Sequence, residues 1–558
     1  MTSQPPAAHE GAETLRARRA LRLDYGLLAL AVAAHITFWF FGTSDALLDV
    51  DVANLTYGMV EFNLAHFNPH PPGYLLYVLA LRGLHVLLGG GDTPIDRVHT
   101  AQVLSLLFAL ATVWQAFAGA RRLYARAGAA GWAALVVALH PILLFHSIDA
   151  QTHTSEAFAA AWLLRLAVEA RARPSTRSAI ALGLVLALGA GFRPSFVLFG
   201  IPLVVLTFGR AHFRELVIAG AVSAVGAAAW FVPTIVMSGG YAMWSAATHA
   251  LVQGAFINTS SPLAGSSLGI LILANDLALA VAVAQIFLPP LAGWLLLRSG
   301  GGRLAARTQE IPRLGYVVAA ICLIPIVYYA LTFFSEPGYI LTCVPVVALL
   351  IGGLGSGPRG HIPPAAAALL TIASGLIPQV PVAIKVASVD SWLLRHDLVH
   401  VSLRLLRERV PADARVLFIS DFPDITVARQ MPMHLPNVDV LLISDDDLPW
   451  HPTTSFAYVT RDDSVPIPSS HLLSNSGSRE LRVDTAYDAL YLDEMVSPAT
   501  LRALATQSRC PIPRAIDTGA YLLLPPACLV DQALTIDGVT FGFRRVSPTA
   551  TPQPGATP

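Results

Sequence analysis

The sequence predicts a mostly α, polytopic membrane bundle: about 11 transmembrane helices plus a juxtamembrane helix, followed by a small C-terminal extracytoplasmic α/β domain. Three observations predict it. Hydrophobic residues make up 54% of the 558-residue chain and charged residues only 13%, whereas a soluble domain carries about 25% charged residues. Mean hydropathy is +0.58. Nearly all the long apolar runs lie before Lys385, the single lysine, and ordinary soluble patterning follows it. The 36 basic and 36 acidic residues cancel, which excludes a basic nucleic-acid binder. The expected organisation is a cytoplasmic tail over 1–23, a membrane body over 24–385, a soluble α/β domain over 386–546 and a Pro-, Thr- and Ala-rich tail over 547–558, whose composition predicts disorder.

Apolar runs of spanning length fall at about 24–43, 98–118, 131–147, 154–170, 178–192, 194–209, 216–237, 277–297, 314–333, 339–356 and 362–384. The first follows Arg16, Arg18, Arg19 and Arg22 with no small-residue cleavage site, and reads as an uncleaved anchor. A further run, 71–90, is long enough to span but contains Arg82 and His85. If it lies along the outer surface, 18 of the 22 basic residues of 1–385 fall on the side of the N-terminal arginines, as the positive-inside rule requires. If it crossed, every later loop would invert. The sequence therefore predicts an amphipathic surface helix over Tyr74 to Leu88 with Arg82 and His85 on its wet side, led in by Pro71 and Pro72, which a first helical turn tolerates.

Beyond the membrane body, Trp392 to Arg409 reads as an amphipathic helix. Arg415 to Ser420, Val438 to Ile443, Phe456 to Val459 and Tyr521 to Leu524 read as strands, with a helix near 424–431. Asp445, Asp446 and Asp447 lack the spaced ligands of a calcium loop and read as a solvated turn. Cys510 and Cys528 would pair if this domain is extracytoplasmic, or remain free thiols. Cys322 and Cys343 lie in apolar runs and read as small hydrophobes.

The candidate site residues gather in the outer loops. The first loop carries Asp49 and Asp51, then His70-Pro71-Pro72-Gly73-Tyr74. Carboxylates at the membrane–water boundary suit a general base or serve as solvated loop acids. The second loop carries His146, Asp149, His153 and Glu156. Glu156 stands one turn into a helix, where it is either functional or an N-terminal carboxylate favoured by the helix dipole. His153 three residues earlier could share its face, and a divalent metal held with Asp51 is one use of the pair. Arg193 precedes a helix start on the outer face, suited to a phosphate or to snorkelling. The loop 238–276 has no basic residue, with Asn258, Thr259, Ser260, Ser261 and Asp276, and reads as a lid. Glu336, in Ser335-Glu336-Pro337-Gly338-Tyr339, reads as part of a structural turn.

At these residues the chain resembles the membrane glycosyltransferases of the GT-C fold, which include protein O-mannosyltransferases and the bacterial aminoarabinose transferase. The resemblance covers about residues 20–355. It rests on Asp51 followed by the His70 to Tyr74 segment, on Glu156 as a second outer acid, on Arg193 before the next helix and on Gly338-Tyr339 as a late outer turn. Family members often carry two adjacent first-loop acids, whereas here Asp49 and Asp51 alternate, so either is the candidate base. The resemblance implies transfer of a sugar from a polyprenyl-phosphate donor to an acceptor hydroxyl on the outer face, with inversion. Arg193, with or without a divalent metal ion, would hold the phosphate. The implied partners are that donor, membrane lipid and an acceptor protein, lipid or glycan. The implied location is the bacterial cytoplasmic membrane, with the C-terminal domain outside. Two other classes stay open: a lipid or solute transporter, and a non-catalytic envelope-assembly scaffold. The acids cluster at one face rather than at mid-membrane, which favours the transferase.

Overall fold

In the computed structural model the described residues are 7–45, 47, 49–64, 68–124, 126–249, 251–252, 261–262, 269–299, 319–332, 334, 336–354, 361–378 and 387–393, then nine strands with short flanking pieces. Residues 547–558, Asn258 to Ser260 of the expected lid, residues 424–430 of the helix expected near 424–431, the Asp445 turn, Cys510 and Cys528 lie outside them. The chain divides into two compact units, Met1–Asp45 with Asn54–His396, and Ala46–Ala53 with Asp397–Pro558.

The first unit is helical. In chain order come α1 (Ala7–Gly42), α2 (Val50–Gly58, which runs across the division), α3 (Leu75–Leu87), α4 (Pro94–Leu123), α5 (Ala129–Leu139), α6 (Pro141–Ile148), α7 (His153–Ala172) and α8 (Thr176–Phe192). They are followed by α9 (Val197–Phe208), α10 (Phe213–Met237), α11 (Tyr241–His249), α12 (Gly269–Ser299), α13 (Ile324–Leu331), α14 (Cys343–Gly353) and α15 (Ile362–Ser374). Among the described residues four helical stretches, Arg18–Gly42, Pro94–Leu123, Arg210–Met237 and Ile272–Ser299, are long and apolar enough to cross a membrane, and the bent pair α5–α6 would make a fifth. With the composition, they make the chain an integral membrane protein. Shorter apolar helices, among them α8, α14 and α15, pack beside them.

Small residues let these helices approach closely, as expected where lipid removes the hydrophobic drive for association. A Cβ at Gly352 of α14 would meet the Ala129 carbonyl oxygen at 2.7 Å, and one at Gly183 of α8 would meet that of Ala219 in α10 at 2.6 Å. Two charges inside helices are partnered. Arg165 of α7 donates to Gln115 (2.7 Å) and to Glu169 (3.0 Å). The Asp24 carboxylate of α1 accepts the N–H of Gly131, in the first turn of α5, at 3.0 Å.

Three expectations change. The run 131–147 is not one straight helix: it breaks at His140 into α5 and α6, bent by 54°. Pro141 has no N–H to continue the ladder, and His140, in extended backbone, instead caps α6 by accepting the Ile142 N–H at 3.3 Å. Pro71 and Pro72 do not form the first turn of α3. They precede it in a turn, with Gly73 at φ 119° and Tyr74 at φ 42°, and the helix starts at Leu75. Arg82 and His85 are not simply wet. Arg82 donates to the carbonyls of Met59 (2.7 Å) and Gly58 (2.9 Å) at the end of α2, and His85 Nδ1 lies 2.8 Å from Thr100 Oγ1. The other face of α3 is buried through Leu75, Tyr77, Val78 and Leu81.

The second unit holds a six-stranded sheet in the order β4-β3-β2-β1-β6-β7 and a three-stranded sheet in the order β5-β9-β8. β1 (Val416–Asp421) lies between β2 (Val438–Ser444) and β6 (Ala489–Leu492), parallel to both. β3 (Ser455–Arg461), β4 (Pro468–Ser474) and β7 (Leu522–Leu524) pair antiparallel at its two sides. β8 (Ala533–Ile536) and β5 (Glu480–Val483) flank β9 (Val539–Phe543) in the smaller sheet. Residues 416–419, 438–441 and 490–492 of β1, β2 and β6 are each buried in succession, as in parallel strands covered on both faces. The buried Asp439 of β2 is neutralised by Arg415 at 2.8 Å and accepts the Tyr487 hydroxyl at 2.8 Å.

Candidate active site

The site in the first unit is built where α6 hands over to α7, where α8 meets α9, and in the turn before α14. α6 ends at Ile148, and residues 149–152 reverse the chain through Ala150, which has φ 60°. α7 then starts at His153, and its whole first turn, His153 to Glu156, is buried. Arg193 sits at the break between α8 and α9, held in extended backbone because Pro194 cannot continue α8.

An ion pair and a histidine–carboxylate contact form there. Arg193 Nε lies 3.1 Å from Glu156 Oε2, Arg193 Nη1 donates to Thr152 Oγ1 at 2.7 Å, and the Ser195 hydroxyl donates to Glu156 Oε1 at 2.8 Å. His153 Nε2 lies 2.6 Å from Glu336 Oε1, and Gln151 donates to both Glu336 Oε2 (3.2 Å) and Asp149 Oδ2 (3.1 Å). Tyr339 stands between the pairs: its ring is 5.1 Å from the Arg193 guanidinium carbon and 5.3 Å from the His153 ring, and it stacks on Tyr329 at 4.8 Å. The His146 and His153 rings are 4.7 Å apart. They can be so close because residue 338 is glycine: a Cβ there would meet His153 Cγ at 2.6 Å and His146 Cε1 at 2.7 Å.

His70 is buried in the loop before α3, its ring 4.7 Å from that of Tyr74. Burial and, second, the Arg193 charge push its imidazole down from the usual range to about 3. It is therefore neutral at any physiological pH. Trp244 of α11 donates to the Pro72 carbonyl at 3.1 Å and pins this loop.

The sequence-level grouping of His153 with Glu156 does not survive. Glu156 turns to Arg193 and Ser195, while His153 turns to Glu336 and His146. One nitrogen, one nitrogen and one carboxylate oxygen of His146, His153 and Glu336 all lie within 4.8 Å of one another. Two imidazoles and a carboxylate suit zinc or another borderline divalent ion. The residues fit such an ion: the buried His153 Nδ1 has no hydrogen-bond partner in the structure, and the contact of its other nitrogen with Glu336 fixes the ring.

Sequence reasoning passed over Glu336 as a turn residue and did not single out Gln151, Thr152 or Ser195 as partners. An available signal was that Glu336 is an acid between two apolar runs, directly before Pro-Gly-Tyr, with no cation nearby in sequence. Asp49 and Asp51 belong to the second unit by packing. There Asp49 Oδ1 accepts the Asp51 N–H at 2.9 Å, the bond of a residue capping the first turn of α2, where Asp51 stands.

No protein-family model matches the sequence, and no curated protein matches it. Among solved structures it is similar to ArnT from Cupriavidus metallidurans in the apo state, with 17% identity and a TM-score of 0.43 over 74% of this chain and 76% of that one. It is also similar to the Archaeoglobus fulgidus oligosaccharyltransferase tethered with an acceptor peptide, with 12% identity and a TM-score of 0.42 over 75% of this chain and 63% of that one. What the site can do follows from its own side chains.

Proposed function

We propose that the chain is a GT-C type membrane glycosyltransferase that moves a sugar from a polyprenyl-phosphate donor to an acceptor hydroxyl on the extracytoplasmic face, with inversion. The observation that carries this reading is Arg193, a buried guanidinium fixed by Glu156 and Thr152 and covered by Tyr339. Its Nε and Nη1 are engaged, which leaves Nη2 N–H donors for a phosphate oxygen. In the proposed step the acceptor oxygen attacks the anomeric carbon and the bond from that carbon to the phosphate oxygen breaks. The electron pair leaves with the polyprenyl phosphate, and the hydroxyl proton passes to Asp51. Arg193 offsets the charge that develops on the phosphate. His146, His153 and Glu336 would hold a divalent ion, which would supply further positive charge for a phosphate. Asp49 caps the helix that carries the base.

Release of polyprenyl phosphate from a short-chain polyprenyl-phosphate sugar, with an envelope extract as acceptor, tests the reading. Asp51→Asn should lower release by about 10²–10⁴ while donor binding is kept. Asp49→Asn should stay near wild type, because asparagine also caps a helix. The opposite result would move the base to Asp49, and no release from any donor would refute the transferase.

Metal content is a separate expectation. Purified protein should carry close to one divalent ion per chain, and His146→Ala with His153→Ala should remove it. A metal-free chain that is fully active in chelator would take the ion out of the proposal.

A further inference from the structure

We propose that Tyr77, on the buried face of α3, is a positioning residue that sets the α6–α7 turn so that His146 and His153 converge on Glu336; the proposal rests on the metal reading above. The turn needs holding. Ala150 has φ 60°, a left-handed conformation that alanine adopts reluctantly and that asparagine or glycine more often fill. The Tyr77 hydroxyl donates to the Ala150 carbonyl at 3.0 Å and approaches that of Gln151 at 3.4 Å, where Ser105 of α4 also donates at 3.4 Å.

Rotation of the Ala150–Gln151 peptide would carry away two things at once. The Gln151 side chain, which bridges Asp149 and Glu336, would leave Glu336. Residue 153, the first of α7, would start from another direction, and its ring would lose its place beside His146. Tyr77 is fully buried and its ring packs on Phe108 irrespective of the hydroxyl. Packing therefore does not require tyrosine; phenylalanine would fill the same space. What tyrosine adds is a donor aimed at a strained carbonyl.

The test is Tyr77→Phe in the full chain in detergent, alone and combined with Ala150→Gly, which lets the backbone take φ 60° without steric cost. Two readouts are taken: hydrogen exchange of the 146–160 peptide, and titration with cobalt(II) followed by visible absorption. Tyr77→Phe should speed exchange at residues 152–156 about tenfold and weaken cobalt about 10–100-fold, the usual loss when a group supporting a ligand is removed. Ala150→Gly should return both to within a few-fold of wild type, a rescue that a packing role would not give. Unchanged exchange and unchanged affinity in Tyr77→Phe overturn the proposal, as does failure of Ala150→Gly to rescue. Absence of cobalt bands in the wild type would overturn the metal reading alone, and exchange would still decide the role of Tyr77.

Discussion

An Arg193→Ala chain should lose about 3–5 kcal/mol of stability, the usual result of breaking a buried ion pair by removing one partner, and with it most of its donor affinity, about 2–5 kcal/mol for a buried charge contact. A snorkelling arginine would do neither, since exposed pairs contribute about 0–1 kcal/mol. Arg193 is 9% exposed and Glu156 1%, so truncation leaves a carboxylate sealed in the protein with only the Ser195 hydroxyl on it. Arg193→Lys keeps the charge but cannot reach Glu156 and Thr152 together, because the ammonium is a point and the guanidinium a fork. Arg193→Ala with Glu156→Ala should regain much of the stability and none of the donor affinity. Thermal unfolding in detergent and binding of a short-chain polyprenyl-phosphate sugar separate the two effects. Equal unfolding temperatures across the series would mean that the pair is not formed.

Gly338→Ala should damage the site through a single added methyl group. The added carbon would stand 2.5 Å from His153 Cδ2 and 2.7 Å from His146 Cε1, inside the distance at which real Cβ atoms are found. Both rings are buried among other site residues, so they can yield only by leaving Glu336 and Tyr339. Overpacking of this kind costs about 1–3 kcal/mol, and the divalent ion should be lost with it. Gly26→Ala in α1 is the control: nothing lies within 4 Å of its Cβ, and replacing a helical glycine should stabilise by about 0.5–1 kcal/mol. Metal content and unfolding temperature for the two variants check this. A Gly338→Ala chain that retains its ion would show that the rings have room.

Much of the first unit was legible because charge is costly in an apolar run. Glu156 and Arg193 stand out for that reason alone. Their mutual pairing did not, since 37 residues separate them and no local period relates α7 to the α8–α9 break. His153 and Glu336 are 183 residues apart, so chain spacing pointed His153 at its neighbour Glu156 instead. The α5–α6 break was hidden because its side chains are as apolar as a span's; only His140-Pro141 betrays it. The expected span 362–384 likewise gives α15 only to Ser374, where Gln285 of α12 binds the end carbonyl at 2.9 Å. In the second unit, alternating and continuous apolar runs located β1, β2, β3 and β7 to within about three residues, because strand period is local. Sheet order depends on distant pairings and was not readable.

The bond between Asp24 and Gly131 bears on the order in which the protein is made. Its partners are 107 residues apart, so at about 5–20 residues per second the ribosome needs roughly 5–20 s to deliver the second after the first. During that interval the carboxylate is hydrated, since in lipid it would be an unpaired charge. The first helix is then anchored but not seated. Its Asp24 end is satisfied only when the start of α5 arrives with N–H groups to offer, so a nascent chain released before residue 131 should leave α1 exposed at that end to membrane quality-control proteases.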